Sequence, residues 1–145
     1  MPYQYRESGL DNVVLKNGYA IRQTLYGETV AIRNVDALHR VLARALISQA
    51  QLTGAELRFL RTELDKTQSE LAKLLATSEQ TLSLWERARD EPMPETAARL
   101  LRLLVAERMG LRTKPSTWLE RLTKLTASNA DARKIAHYEH GWKLA

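Results

Sequence analysis

The sequence predicts an α+β fold, with a small β-meander and one helix at the N-terminal end and only helices after it. Two observations carry this. In the first third, short runs of apolar and polar residues meet at Asn17-Gly18, and period-2 alternation marks a half-buried strand. From Thr53 onward apolar residues recur every three or four positions behind two capping boxes, Thr53-Gly54-Ala55-Glu56 and Thr67-Gln68-Ser69-Glu70. That is how helices begin.

The elements follow in order. Val13-Val14-Leu15-Lys16 and Tyr19-Ala20-Ile21-Arg22-Gln23-Thr24 flank Asn17-Gly18, a dipeptide that tolerates the two positive φ angles of a type I′ hairpin. Gly27 sets off a third strand over 28–33, where Val30 and Ile32 alternate with polar residues. Such a meander needs a cover. Leu38, Val41, Leu42, Ala45 and Leu46 give the segment 36–49 one apolar helical stripe that can supply it. Helices are then expected after Thr53, over 68–75, over 78–87 and over 95–109, the last ended by Gly110. A further helix after Pro115 carries Trp118, Leu119, Leu122 and Leu125. Residues 127–145 lack a clear period and are expected to be partly ordered at best. The reading gives three parts: a meander-and-helix module over 1–50, a helical domain over 51–110, and a C-terminal helix and tail over 111–145.

Composition narrows the function classes. The 145 residues are 44% hydrophobic, enough for a core. No apolar run approaches the roughly 18–20 residues of a membrane-spanning helix, and the N-terminus lacks a signal peptide's apolar region. With no cysteine, disulfides and thiolate zinc sites are excluded. A cytoplasmic protein, nucleoid-associated when bound to DNA, is expected, with no membrane contact, metal or cofactor. No phosphate loop or Ser/His/Asp grouping suggests an enzyme. The net charge of +5 suggests a polyanionic partner, but residues 51–110 hold 9 basic and 10 acidic side chains. Charge alone does not lead to nucleic acid.

The pattern over 67–87 does. A short helix at 68–75 turns Leu71, Ala72 and Leu75 inward, and Ala72 is small where a second helix must approach. Ala76-Thr77 makes the turn. The second helix buries Leu82 and Trp85 and leaves Glu79, Gln80, Ser83 and Leu84 outward. The first residues of such a helix meet base edges when it lies in the major groove. Gln80 suits adenine and Glu79 suits cytosine N4, while the helix starts at Gln68 and Ser78 can direct backbone N–H groups at phosphates. Arg87, Arg89 and Lys73 are candidate phosphate contacts. With Thr81 they complete the expected DNA-contact set: Gln68, Lys73, Ser78, Glu79, Gln80, Thr81, Ser83, Arg87 and Arg89.

The run from Thr67 to Arg87, TQSELAKLLATSEQTLSLWER, resembles the Cro/C1-type (Xre) helix-turn-helix regulators. That resemblance implies a λ-repressor-like helical domain, a phosphate clamp at Gln68, and Glu79, Gln80 and Ser83 facing bases. It also implies an ion pair between Arg61 and Glu86. Ala76 and Ala88 stand where the family prefers glycine, so both turns are expected to be strained or reshaped. A wider resemblance rests on Ser8-Gly9-Leu10-Asp11-Asn12-Val13, Asn17-Gly18-Tyr19, Tyr26-Gly27-Glu28, Leu38-His39 and 52–61. These look like the MqsA-type (YgiT-like) antitoxin and regulator group, without the cysteine pairs of its zinc-binding members.

The expected function is therefore a transcriptional regulator binding double-stranded DNA, a repressor that reads a palindromic operator as a homodimer. The alternative is an antitoxin of a type II pair that binds a toxin through residues 1–50 and autoregulates its operon. Tyr3, Tyr5, Tyr19 and Tyr26 suggest a partner face there. A chain starting near Gln51 is then expected to keep DNA binding.

Overall fold

In the computed structural model, which describes residues 2–124 and 134–145, each predicted helix forms close to its expected bounds. They are α1 (Val35–Ile47), α2 (Gly54–Glu63), α3 (Gln68–Leu74), α4 (Glu79–Arg87), α5 (Glu95–Arg108) and α6 (Pro115–Lys124). Their determinants are local. Thr53 and Thr67 each close a full capping box, with Glu56 and Glu70 bonding back to the threonine N–H. At the far end of α5, Gly110 takes a φ of 72°. Its N–H donates to the Glu107 carbonyl, and that of Leu111 donates to the Ala106 carbonyl, the paired bonds of a Schellman turn.

The strands depart from the meander. The elements are β1 (Tyr3–Gln4), β2 (Val13–Leu15), β3 (Tyr19–Thr24), β4 (Gly27–Ile32), β5 (Lys134–Tyr138) and β6 (Trp142–Leu144). β2 does not pair with β3 across Asn17-Gly18. It lies in a four-stranded sheet ordered β1-β2-β5-β6, antiparallel to β1 and parallel to β5. The antiparallel hairpin is β3 with β4, turning at Leu25-Tyr26.

Two observations explain the corrected pairing. Val13, Val14 and Leu15 are all buried, which suits a central strand covered on both faces rather than half of an exposed hairpin. Asn17 is also engaged elsewhere. Its side chain donates to the Tyr138 carbonyl at 3.1 Å and accepts from the Tyr138 N–H at 2.6 Å. A Cβ on Gly18 would sit 2.6 Å from the Trp142 ring. The Asn-Gly pair is thus shaped by the C-terminal strands, not by a tight turn.

The expected partly ordered tail is corrected in the same way: 134–145 form β5 and β6, with Ala136 and Trp142 buried. Leu125 and the rest of that tail lie outside the described residues. The chain divides into two compact units, Met1–Leu42 with Ala132–Ala145, and Ala43–Asp131. The C-terminal strands therefore belong with the N-terminal ones, and the division falls inside α1.

The second unit holds the helices. Leu46, Ile47, Leu57, Leu60, Leu71, Leu82 and Leu101 are inaccessible to solvent. The start of α2 seats against the end of α4, where the Gly54 and Ala55 N–H groups donate to the carbonyls of Glu91 and Arg89. A Cβ on Gly54 would lie 2.0 Å from the Trp85 carbonyl oxygen, so only glycine permits this approach. Trp85 itself is half-buried rather than the full core residue expected. Arg102 is inaccessible, yet donates to the Gln49 and Ala50 carbonyls at 2.8 and 3.1 Å. Desolvation depresses its guanidinium below the ordinary arginine value, with Glu95 opposing that shift. Among the described residues no helix is long and apolar enough to cross a membrane.

Candidate nucleic-acid interface

The site is built on α3, its turn, and α4. Leu75 is the C-cap of α3, and Ala76 follows with φ 56°. The Ala76 N–H donates to the Lys73 carbonyl and the Thr77 N–H to the Ala72 carbonyl. This is another Schellman turn, with alanine in the left-handed position that favours glycine. Ala88 differs, at φ −81° and ψ 69°; its turn is reshaped and needs no positive φ. After the Ala76 turn, Ser78 caps α4 by accepting from the Thr81 N–H at 3.1 Å, and its hydroxyl donates to Thr81 Oγ1 at 2.8 Å. Ser78 and Thr81 are thus occupied with shaping the helix start.

Beyond that start, Glu79, Gln80, Leu84 and Arg87 are exposed and Ser83 is half-buried. With Gln68 they line one depression on the surface. Leu82 is fully buried on the opposite side. Lys73 is exposed on α3 but lines neither this depression nor its neighbour.

The neighbouring depression shares Gln68, Ser83 and Arg87 and adds Arg58, Arg61, Glu86 and Arg89. At its base Glu86 is almost wholly buried. It accepts from Arg61 Nε at 2.6 Å, Arg61 Nη2 at 3.1 Å and Gln68 Nε2 at 3.0 Å. Arg61 also donates to the Lys66 carbonyl, tying the α2–α3 connection to the same centre. Gln68, expected as a phosphate clamp, is therefore held in place through one amide N–H by the carboxylate that also binds Arg61.

Four guanidinium groups share this depression with one carboxylate. The segment's near-neutral charge hid that segregation. Arg58 was absent from the sequence-based set, although its i, i+3 spacing from Arg61 puts both on one helical face. Leu84, recognised as outward but not counted as a contact, offers an apolar surface of the kind that meets thymine methyl groups. At α3 the capping bonds with Thr67 hold the Glu70 carboxyl below its ordinary 4.5. His137, on β5, and His140, in the β5–β6 turn, belong to no group of three or more metal-ligating side chains among the described residues.

Residues 57–104, a third of the chain, match the family model described as Helix-turn-helix. Neither a curated protein nor a solved structure matches the chain. The segment carries a helix-turn-helix domain, a DNA-binding module of transcription regulators.

Proposed function

We propose that the chain is a sequence-specific repressor that binds a palindromic operator as a homodimer. The observation that carries this is the outer face of α4. Gln80 and Glu79 stand exposed at its first turn beside Ser83, Leu84 and Arg87, on a helix positioned by the Ala76 turn and the Glu86 network. In the major groove this face places Gln80 against an adenine and Glu79 against a cytosine. Arg58, Arg87, Arg89 and the second amide N–H of Gln68 then take phosphates, with Lys73 at the periphery. Ser78 and Thr81 contribute through the helix start they shape. One such helix reads few base pairs, and two-fold pairing supplies the remaining specificity.

The test is selection of bound sequences from random DNA by the full chain and by Gln80→Ala. The expected result is a palindrome with half-sites about one turn, or roughly 34 Å, apart. Gln80→Ala should lose about 1–3 kcal/mol of specific binding and relax one base per half-site. A monomer on a single asymmetric site removes the dimer; unchanged preference and affinity removes Gln80 from the readout.

One observation favours the antitoxin reading. Tyr5 is buried against His39 Nε2 at 2.8 Å, and Tyr3 stacks on Tyr19 with centroids 5.2 Å apart. The partner face suggested by four tyrosines thus narrows to Leu25 and Tyr26, fully exposed at the β3–β4 turn. Exposed apolar residues at a hairpin tip suit a protein contact, and a toxin bound there fits the MqsA-type resemblance.

A further inference from the structure

Leu84 is 57% exposed on α4, although the same helix buries Leu82 completely. Of the large apolar side chains exposed among the described residues, it alone lines the depression of the reading face. Its companions there, Gln68, Glu79, Gln80, Ser83 and Arg87, are all polar or charged. A single exposed leucine elsewhere on a protein surface needs no explanation. This one does, because every other side chain of that lining can form a hydrogen bond and Leu84 cannot.

Base edges in the major groove are almost entirely donors and acceptors, and the thymine C5-methyl group is the apolar exception. Against any other edge, Leu84 strips water from a polar atom and offers nothing in its place, which is costly. Against thymine it buries a methyl group, which is favourable. The residue therefore favours thymine and penalises the alternatives at one position. 5-Methylcytosine carries the same methyl group, but its amine hydrogens find no acceptor on Leu84. Spacing locates the contact. Leu84 stands one turn after Gln80, about 6 Å along the helix, and helical side chains lean back toward the N-terminus. Successive bases lie about 3.4 Å apart, so the thymine falls within about two base pairs of the adenine that Gln80 reads.

We infer that Leu84 is a specificity-determining residue, which selects a thymine in each half-site by contact with its C5-methyl group. The inference rests on the DNA-binding reading and adds the one base feature that hydrogen bonds do not sense.

The probe is the palindrome selected by the full chain, with each thymine exchanged in turn for deoxyuridine, which removes the methyl group and nothing else. One symmetric position should weaken binding about fourfold per half-site, from the loss of one buried methyl-sized group. Leu84→Ala and Leu84→Gln should bind the thymine and deoxyuridine forms alike, whereas Gln80→Ala keeps their difference. If both Leu84 variants fail to fold, the scan on the unaltered chain decides. The sensitive position must then fall within about two base pairs of the one that Gln80→Ala relaxes. A palindrome with no methyl-sensitive thymine there, or a methyl dependence that persists in both Leu84 variants, overturns the inference and leaves the DNA-binding reading intact. So does a Leu84 variant that weakens on all sequences alike and dissociates into monomers, which assigns the leucine to a contact between copies. A chain that selects no sequence at all removes both.

Discussion

Glu86 sits where a carboxylate is costly, and three hydrogen bonds from Arg61 and Gln68 make it tolerable. Breaking a buried pair on one side leaves an uncompensated charge, whereas replacing both partners with apolar groups of similar volume is often neutral. Arg61→Ala should therefore lower unfolding free energy by about 3–5 kcal/mol. Arg61→Met combined with Glu86→Leu should recover most of that loss, with Gln68 freed from its anchor. Urea unfolding of the two variants beside the parent measures it. A loss below about 1 kcal/mol for Arg61→Ala, the range of exposed pairs, would mean that the pair is not desolvated in solution. Gln68 holds an expectation and a surprise together: its position at the head of α3 was legible, its tie to Glu86 was not.

Between α3 and α4 the chain turns through a left-handed alanine. That conformation costs a non-glycine residue about 1–2 kcal/mol, against a smaller entropic cost for glycine. Ala76→Gly should stabilise the protein by about 0.5–1 kcal/mol. Ala88→Gly, at negative φ, should be neutral or destabilising by up to about 1 kcal/mol. Thermal melts of the two variants distinguish the turns, and equal effects of the same sign would remove the strain argument. The contrast between Ala76 and Ala88 also shows what a sequence reveals at this scale. Capping boxes, apolar stripes and Gly110 lie within a few residues of what they control, so the helices could be read directly. The sheet could not, because β2 is specified by a parallel partner some 120 residues away and Asn17-Gly18 by Tyr138 and Trp142. The same holds at the interface. The outward residues of α4 follow from helical period, whereas Arg58 joins Arg87 and Arg89 only once α2 has packed on α4.

At the scale of the molecule, the question is where the DNA reader ends. A boundary at Gln51 separates Leu46 and Ile47, both inaccessible, from the rest of their unit, and removes the Gln49 and Ala50 carbonyls from Arg102. That leaves a buried guanidinium with Glu95 at 3.5 Å as its remaining bonded partner among the described residues. The expected cost is several kcal/mol, a large share of the 5–15 kcal/mol that keeps most domains folded. Residues 43–131 retain those groups. That segment should melt cooperatively and hold the selected operator within about threefold of the full chain, a difference under 1 kcal/mol. Residues 51–131 should melt far lower or not fold. Circular dichroism melts and operator titrations of the three forms decide the matter. If 43–131 folds but loses the operator, the strand unit belongs to the DNA interface. If 51–131 is as stable as 43–131, the end of α1 and the Arg102 bonds contribute little, and the domain begins where its first capping box does.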